Sequence, residues 1–231
     1  MPEPTPAAAR RVVDLSHRIR AGLVTYPGLP EPVIRPFLTR EASREKYAPG
    51  TQFAMDVIEM IGNTGTYLDS PFHRYGDGTD LAGLDLATLV DLRAEVFHLT
   101  DLGTRGIPAA VFAGRDLRGA AVLLHTGWDR HFGAPEYAHG SPYLSRDGVD
   151  ALVAAGAALV GIDALNIDDT EAEDGRVGER PAHSGLLAAG IHVVEHLTNL
   201  GELPESGARF TAAPPAVEGF GTFPVRAFAT V

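Results

Sequence analysis

Short apolar or alternating runs, each ended within about ten positions by Gly, Pro, Asp or Asn, commit this chain to a fold built on sheets. "RVVDLSHRI", "VIRPFLTR", "FAMDVIEMIG", "RAEVFHLT", "AAVLLHT", "AALVGID", "IHVVEHLT" and "FPVRAFATV" all have strand length. Between them, "SRDGVDALVAAG" predicts a helix, with Ser145 at the cap, Val149, Leu152 and Val153 at helical spacing and Gly156 as the stop. "AHSGLLAAG" predicts a shorter helix. Strands alternating with helices in the second half imply an α/β core, whereas roughly the first 60 residues have only antiparallel strand character. No repeat or low-complexity linker divides the chain, so one domain over residues 11–231 is expected behind a flexible Pro/Ala-rich tail at residues 1–10.

Composition removes several function classes. The formal charge is -11, and all but one of the 19 basic residues are Arg, the exception being Lys46. Tracking nucleic-acid phosphates or an anionic membrane needs clustered positive charge, so neither partner is expected. With no cysteine, thiolate nucleophiles, disulfides and sulfur-bound metals are excluded. Any metal must be held by His, carboxylate, amide or water. The N-terminus lacks the apolar run of a signal peptide, and no segment reaches the ~20 apolar residues of a membrane span, so a cytoplasmic location is expected.

Three stretches carry residues suited to chemistry. In "NTGTYLDSPFH", Asp69 and His73 lie four apart with Pro71 between them, which breaks a continuous helix but lets a loop or one helical turn aim both at one cavity. A metal or catalytic pair and a merely polar loop both fit that spacing. In "IHVVEHL", alternation places Glu195 with Ile191 and Val193, and His192, Val194 and His196 on the opposite face. A carboxylate on an apolar face needs a partner, either an arginine or a metal. His183 precedes the neighbouring short helix. Asp163 and Asp168 follow an apolar strand, where α/β sheets place ligand contacts, and His125, Trp128 and His131 are candidates for the same region. The acidic stretch 166–180 has the composition of a solvated loop.

The order of motifs is more specific than any one of them. "DLSHRI", "TYPGLP", "NTGTYLDSPFH", "LLHTGW", "GIDALNIDD" and "HSGLLAAGIHVVEHLTNL" together resemble the cyclase family of metal-dependent hydrolases, which includes bacterial kynurenine formamidase and isatin hydrolase. The resemblance spans roughly residues 12–231. Against the family pattern His-x-Gly-Thr-His-x-Asp-x-Pro-x-His, Gly65, Thr66, Asp69, Pro71 and His73 match, while Asn63 and Tyr67 stand where the family has metal-binding histidines.

What the resemblance implies is a single-domain α/β fold with a central mixed sheet, flanking helices and β-hairpin excursions, assembled as a homodimer or homotetramer. It implies a hydrolase acting on a C–N amide bond of a small aromatic or cyclic substrate, arylformamidase-like. Asp69, His183 and Glu195 would then be ligands of one divalent metal, zinc or manganese, and His73 the proton-transfer residue. Tyr26, Asn63 and Trp128 are the expected substrate contacts. If no metal binds, Asp69 or Glu195 would orient His73 to activate water while Tyr67 donates to a developing oxyanion. Loss of two histidines keeps an alternative open: a metal-free paralogue that binds a small molecule, or a cyclase or lactonase of secondary metabolism.

Overall fold

A computed structural model describes residues 10–171 and 178–231. Residues 1–9, most of the expected tail, lie outside the described residues. The strands are β1 (Val12–Asp14), β2 (Val33–Leu38), β3 (Met55–Glu59), β4 (Tyr67–Asp69), β5 (Leu92–His98), β6 (Gly106–Ile107), β7 (Ala121–His125), β8 (Tyr143–Leu144), β9 (Leu159–Ile162), β10 (His192–Glu195), β11 (Ser206–Thr211), β12 (Thr222–Pro224) and β13 (Phe228–Thr230). Nine of them form one mixed sheet in the order β1-β13-β11-β5-β7-β9-β10-β4-β12. Its centre, β5-β7-β9-β10, is parallel, and every pairing outside that centre is antiparallel. The expected α/β fold with a central mixed sheet is present.

The central strands are largely apolar on both faces, with their polar residues mostly near the ends, because both sheet faces are covered, as parallel strands require. One face carries Leu68, Ala94, Val96, Leu123, Val194 and Phe210 in one core. The other carries Val122, Leu124, Val160, Ile162 and Val193, packed under the helices α2 (Arg146–Ala155) and α3 (Pro181–Ala188). The helix predicted from "SRDGVDALVAAG" is α2. Val149 and Leu152 are buried, but Val153 stays 36% exposed on its outer side. Gly156 ends the helix in a left-handed conformation (φ 72) that lets its N–H reach back to Leu152 and Val153.

Near the N-terminus, β2 and β3 pair only with each other and stand apart from the main sheet, with a single helical turn, α1 (Arg40–Ser43), in their connection. The strand-only expectation for this region therefore needs one correction. Thr39 accepts a hydrogen bond from Ala42 N and caps the turn, a local preference that strand periodicity does not register.

Candidate functional site

Three strands at one end of the sheet build the floor of the site through their register. Tyr67 on β4 pairs with Glu195 on β10, and Asp69 pairs with Val193 on β10 and Thr222 on β12. Paired residues share a sheet face, and alternate residues on one strand do too. Tyr67, Asp69, Glu195 and Thr222 therefore converge on the helix-covered side. Beyond Asp69 the chain turns through Ser70 into a short helical turn, Pro71–His73, with Pro at its first position. That turn swings His73 back until its Nδ1 lies 2.7 Å from the Thr222 hydroxyl and 3.7 Å from Asp69 Oδ1.

Helix α3 supplies a further group, His183. Its first N–H groups are capped from outside by Asp168, whose carboxylate accepts from Ala182 N (2.6 Å) and His183 N (3.1 Å). The same carboxylate meets His183 Nδ1 at 2.6 Å, which fixes the ring and aims Nε2 at Asp69 Oδ2, 3.4 Å away, and Glu195 Oε1, 3.7 Å away. Asn166, Ile167 and Asp168 are buried, so the solvated-loop expectation fails for this part of the acidic stretch. Their polar groups are spent inside the protein: Asp168 caps α3, Asn166 Oδ1 accepts from Asp168 N, and Ile167 N donates to Glu195. Residues 172–177 of that stretch lie outside the described residues.

Burial and charge compete throughout. Burial opposes charge on His183, but its hydrogen bond to Asp168, the nearby Asp69 carboxylate and the field of Glu195 win, and its pKa is pushed up to about 10. Burial raises Glu195 to about 7 despite the neighbouring imidazole. Asp69 is fully buried, yet His183 and His73 more than offset that burial and hold it below the ordinary carboxylate value. Burial, reinforced by Glu195, keeps Tyr67 far above the usual phenol range, so its hydroxyl is neutral.

Glu195 has both oxygens engaged: Oε1 accepts from Ile167 N (2.7 Å) and Oε2 from the Tyr67 hydroxyl (2.6 Å). The one Tyr67 proton is thus committed to Glu195, not aimed at the cavity as an oxyanion donor. Asp69 differs. Its Oδ1 accepts from the Thr222 hydroxyl, while Oδ2 is buried without a hydrogen-bond partner among the described residues. Leaving a buried carboxylate oxygen unmet is costly. One donor atom each from Asp69, His73 and His183 lies within 4.8 Å of the others, a grouping able to hold a metal ion. The Asp168–His183 contact is the outer arrangement that orients a metal-ligating imidazole. The residues fit a divalent ion, with His73 in the donor group and Glu195 tied into hydrogen bonds.

Above this floor opens a cavity of about 560 Å³, a usual size for a small-molecule site. Tyr26, Asn63, Tyr67, His73, His183 and Glu195 all line it, together with Arg74, Asn166 and Arg180. Trp128 does not. Its indole N–H donates to Tyr137 O (3.0 Å), and its ring packs against the helix-side core and His131. His125 pairs instead with His98, Nδ1 to Nδ1 at 2.8 Å. Asp163 spends its carboxylate on Thr126 N, the Thr126 hydroxyl and Gly127 N, holding a turn. His196 also departs from expectation: a left-handed backbone (φ 56) after β10 breaks the alternation and places its Nε2 3.3 Å from the Tyr67 hydroxyl.

Residues 13–169 match the family model described as "Putative cyclase". The chain belongs to the cyclase family. A kynurenine formamidase of Geobacillus thermodenitrificans is 30% identical over 218 residues, covering 93% of this chain and 95% of the relative. Among solved cyclase-family structures, a potential metal-dependent hydrolase with cyclase activity is 26% identical, with a TM-score of 0.76 over 96% of this chain and 98% of that one. An isatin hydrolase bound to the product analogue thioisatinate shares the fold, with a TM-score of 0.80 at 23% identity over 96% and 92% of the two chains.

Proposed function

We propose that this cyclase-family chain hydrolyses a C–N amide bond of a small aromatic or cyclic substrate, as its kynurenine formamidase relatives are named for doing. The observation that carries the reading is the buried Asp69–His183–Glu195 floor with His73 beside it, opening into a cavity of ring-plus-side-chain size. Asp69 and His183 would hold one zinc or manganese ion, with His73 completing the donors. A bound ion of this kind polarises an amide carbonyl and lowers the pKa of its water. The protein's own groups prepare the site: Asp168 fixes the His183 ring, Thr222 fixes Asp69 and His73, and Tyr26 offers an aromatic face for a planar substrate.

A second reading is favoured by one contact, the Tyr67–Glu195 hydrogen bond, which occupies a carboxylate that the family resemblance implies as a metal ligand. In a metal-free enzyme, His73 takes the proton of the attacking water, with Asp69 and Thr222 orienting its ring. A metal-free binding protein, cyclase or lactonase would use the same cavity without amide turnover.

Elemental analysis of the purified protein, before and after chelator dialysis and with Zn²⁺ or Mn²⁺ restored, separates these when coupled to turnover of an arylformamide panel. The metal-dependent reading expects about one ion per chain, lost in Asp69→Asn and His183→Ala, and hydrolysis that follows it. Loss of the ion in His73→Ala makes His73 a ligand; retention with loss of turnover makes it the proton carrier. No ion under any loading, with turnover intact, selects the metal-free mechanism, and no turnover of any arylformamide sinks the hydrolase reading.

A further inference from the structure

Two arginines line the cavity, although the chain as a whole carries a net charge of -11. We propose that Arg180, assisted by Arg74, forms a carboxylate-binding subsite on the rim, so that the preferred substrates carry an anionic group beside the bond that is cut. The inference deepens the amide-hydrolase reading and rests on it for the phrase "bond that is cut", but the subsite itself is a statement about binding.

Four observations carry it. Arg180 adopts a left-handed backbone (φ 53, ψ 57), one of four non-glycine residues with positive φ among the described residues. For a residue with a Cβ that conformation is strained, and such strain concentrates where a side chain is held for a task. Secondly, Arg180 is aimed by a neutral group: its Nη1 donates to Asn166 Oδ1 at 2.8 Å. The same amide oxygen accepts from Asp168 N at 2.9 Å, and Asp168 fixes His183. One buried segment, residues 166–168, therefore sets both the cation on the rim and the imidazole on the floor, which fixes the span between an anionic end and the reacting centre.

Thirdly, Arg74 follows His73 directly, stacks over Tyr75 with 5.3 Å from guanidinium to ring centroid, and donates from Nε to the Ser184 hydroxyl at 3.3 Å. Its partner is again neutral. Among the described residues seven arginines, Arg146 included, pair with a carboxylate, and others such as Arg35 and Arg130 do not; Arg74 and Arg180 belong to the second group and are the arginines that line this cavity. The nearby acid, Glu179, is drawn off by Arg146 at 2.6 Å. Finally, a guanidinium with one arm engaged keeps further N–H donors in a planar fork, the geometry that matches a carboxylate bidentately and discriminates it from a neutral group of the same shape.

The test compares equilibrium binding of anthranilate and of 2-aminobenzyl alcohol, its neutral counterpart, to the full-length protein as purified, by titration calorimetry. Anthranilate is expected to bind at least about 10-fold tighter. Arg180→Gln should bring the two ligands to within about 2-fold, Arg180→Lys should restore part of the preference, and Arg74→Gln should reduce it part-way. A merely structural role would weaken both ligands together and leave their ratio unchanged. Equal affinities in the wild type, or a preference that survives Arg180→Gln and Arg74→Gln alike, would overturn the subsite. Because neither probe is turned over, this outcome is independent of the arylformamide assay: absent hydrolysis with an intact carboxylate preference removes the reaction and keeps the subsite.

Discussion

Asp168 does more at the residue scale than any side chain exposed in the cavity. It caps α3 through two backbone N–H groups and holds His183 Nδ1, so its charge serves a helix end and a ring orientation together. Asp168→Asn retains an acceptor oxygen but removes the charge and one acceptor. The expected result is a 10- to 100-fold loss of metal affinity in chelator competition, with about 1–3 kcal/mol lost in urea unfolding. Unchanged metal affinity would show that His183 is oriented by α3 alone. The sequence made Asp168 visible only as an acid after a strand. What it caps sits fourteen residues on, and that pairing is tertiary.

At the scale of elements, the floor is made by three short strands and the turn that follows one of them. Alternation along β10 was enough to make Glu195 a buried carboxylate, whereas the stretch holding Tyr67 and Asp69 read as a loop or one helical turn, and only the pairing of β4 with β10 puts those two on one sheet face. Nothing local announced Thr222, which reaches Asp69 and His73 from the far end of the chain because β12 pairs with β4. The fit between β12 and the His73 turn is tight: a Cβ on Gly221 would stand 2.5 Å from the backbone N and Cα of His73. Backbone cannot yield as a flexible side chain can. Gly221→Ala is expected to cost about 2 kcal/mol or more in thermal or urea unfolding and to lower turnover by displacing His73. Wild-type stability in that variant would mean the β12–turn contact is looser than the structure has it.

For the molecule as a whole, the outlying hairpin is the feature the main sheet does not explain. Val33, Ile34, Phe37, Tyr47, Phe53, Met55 and Ile58 in and around it are all more than two-fifths exposed. A two-stranded ribbon is marginal by itself, and these residues offer on the order of 500 Å² of apolar surface against about 800 Å² per partner in a stable interface. Arg35 and Glu59 lie diagonally on one face of the hairpin, where a two-fold axis would set each against the other's copy. A second copy is also always present at the chain's own concentration. Sedimentation is therefore expected to give a dimer or a multiple of it, and Ile34→Asp with Ile58→Asp, which face each other across the hairpin, should shift it to monomer while the main sheet keeps its unfolding transition. A wild-type monomer at micromolar concentration would refute this.

By itself the sequence determined the faces of the elements it revealed, because side-chain periodicity is a local property: the strand runs, α2 with its glycine stop, and the sidedness of Glu195 follow from residues within one turn or strand, whereas β4 lay hidden in a turn-rich stretch. It also carried the motif order that marks the cyclase family. Tertiary structure alone decided which of those polar groups meet. Register brought Thr222 to Asp69 and Tyr67 to Glu195, a left-handed residue turned His196 back toward Tyr67, and the carbonyl of Tyr137 drew Trp128 away from the cavity it was expected to line. Those outcomes depend on contacts between residues far apart in the chain, and a buried polar group takes whichever partner the packing delivers.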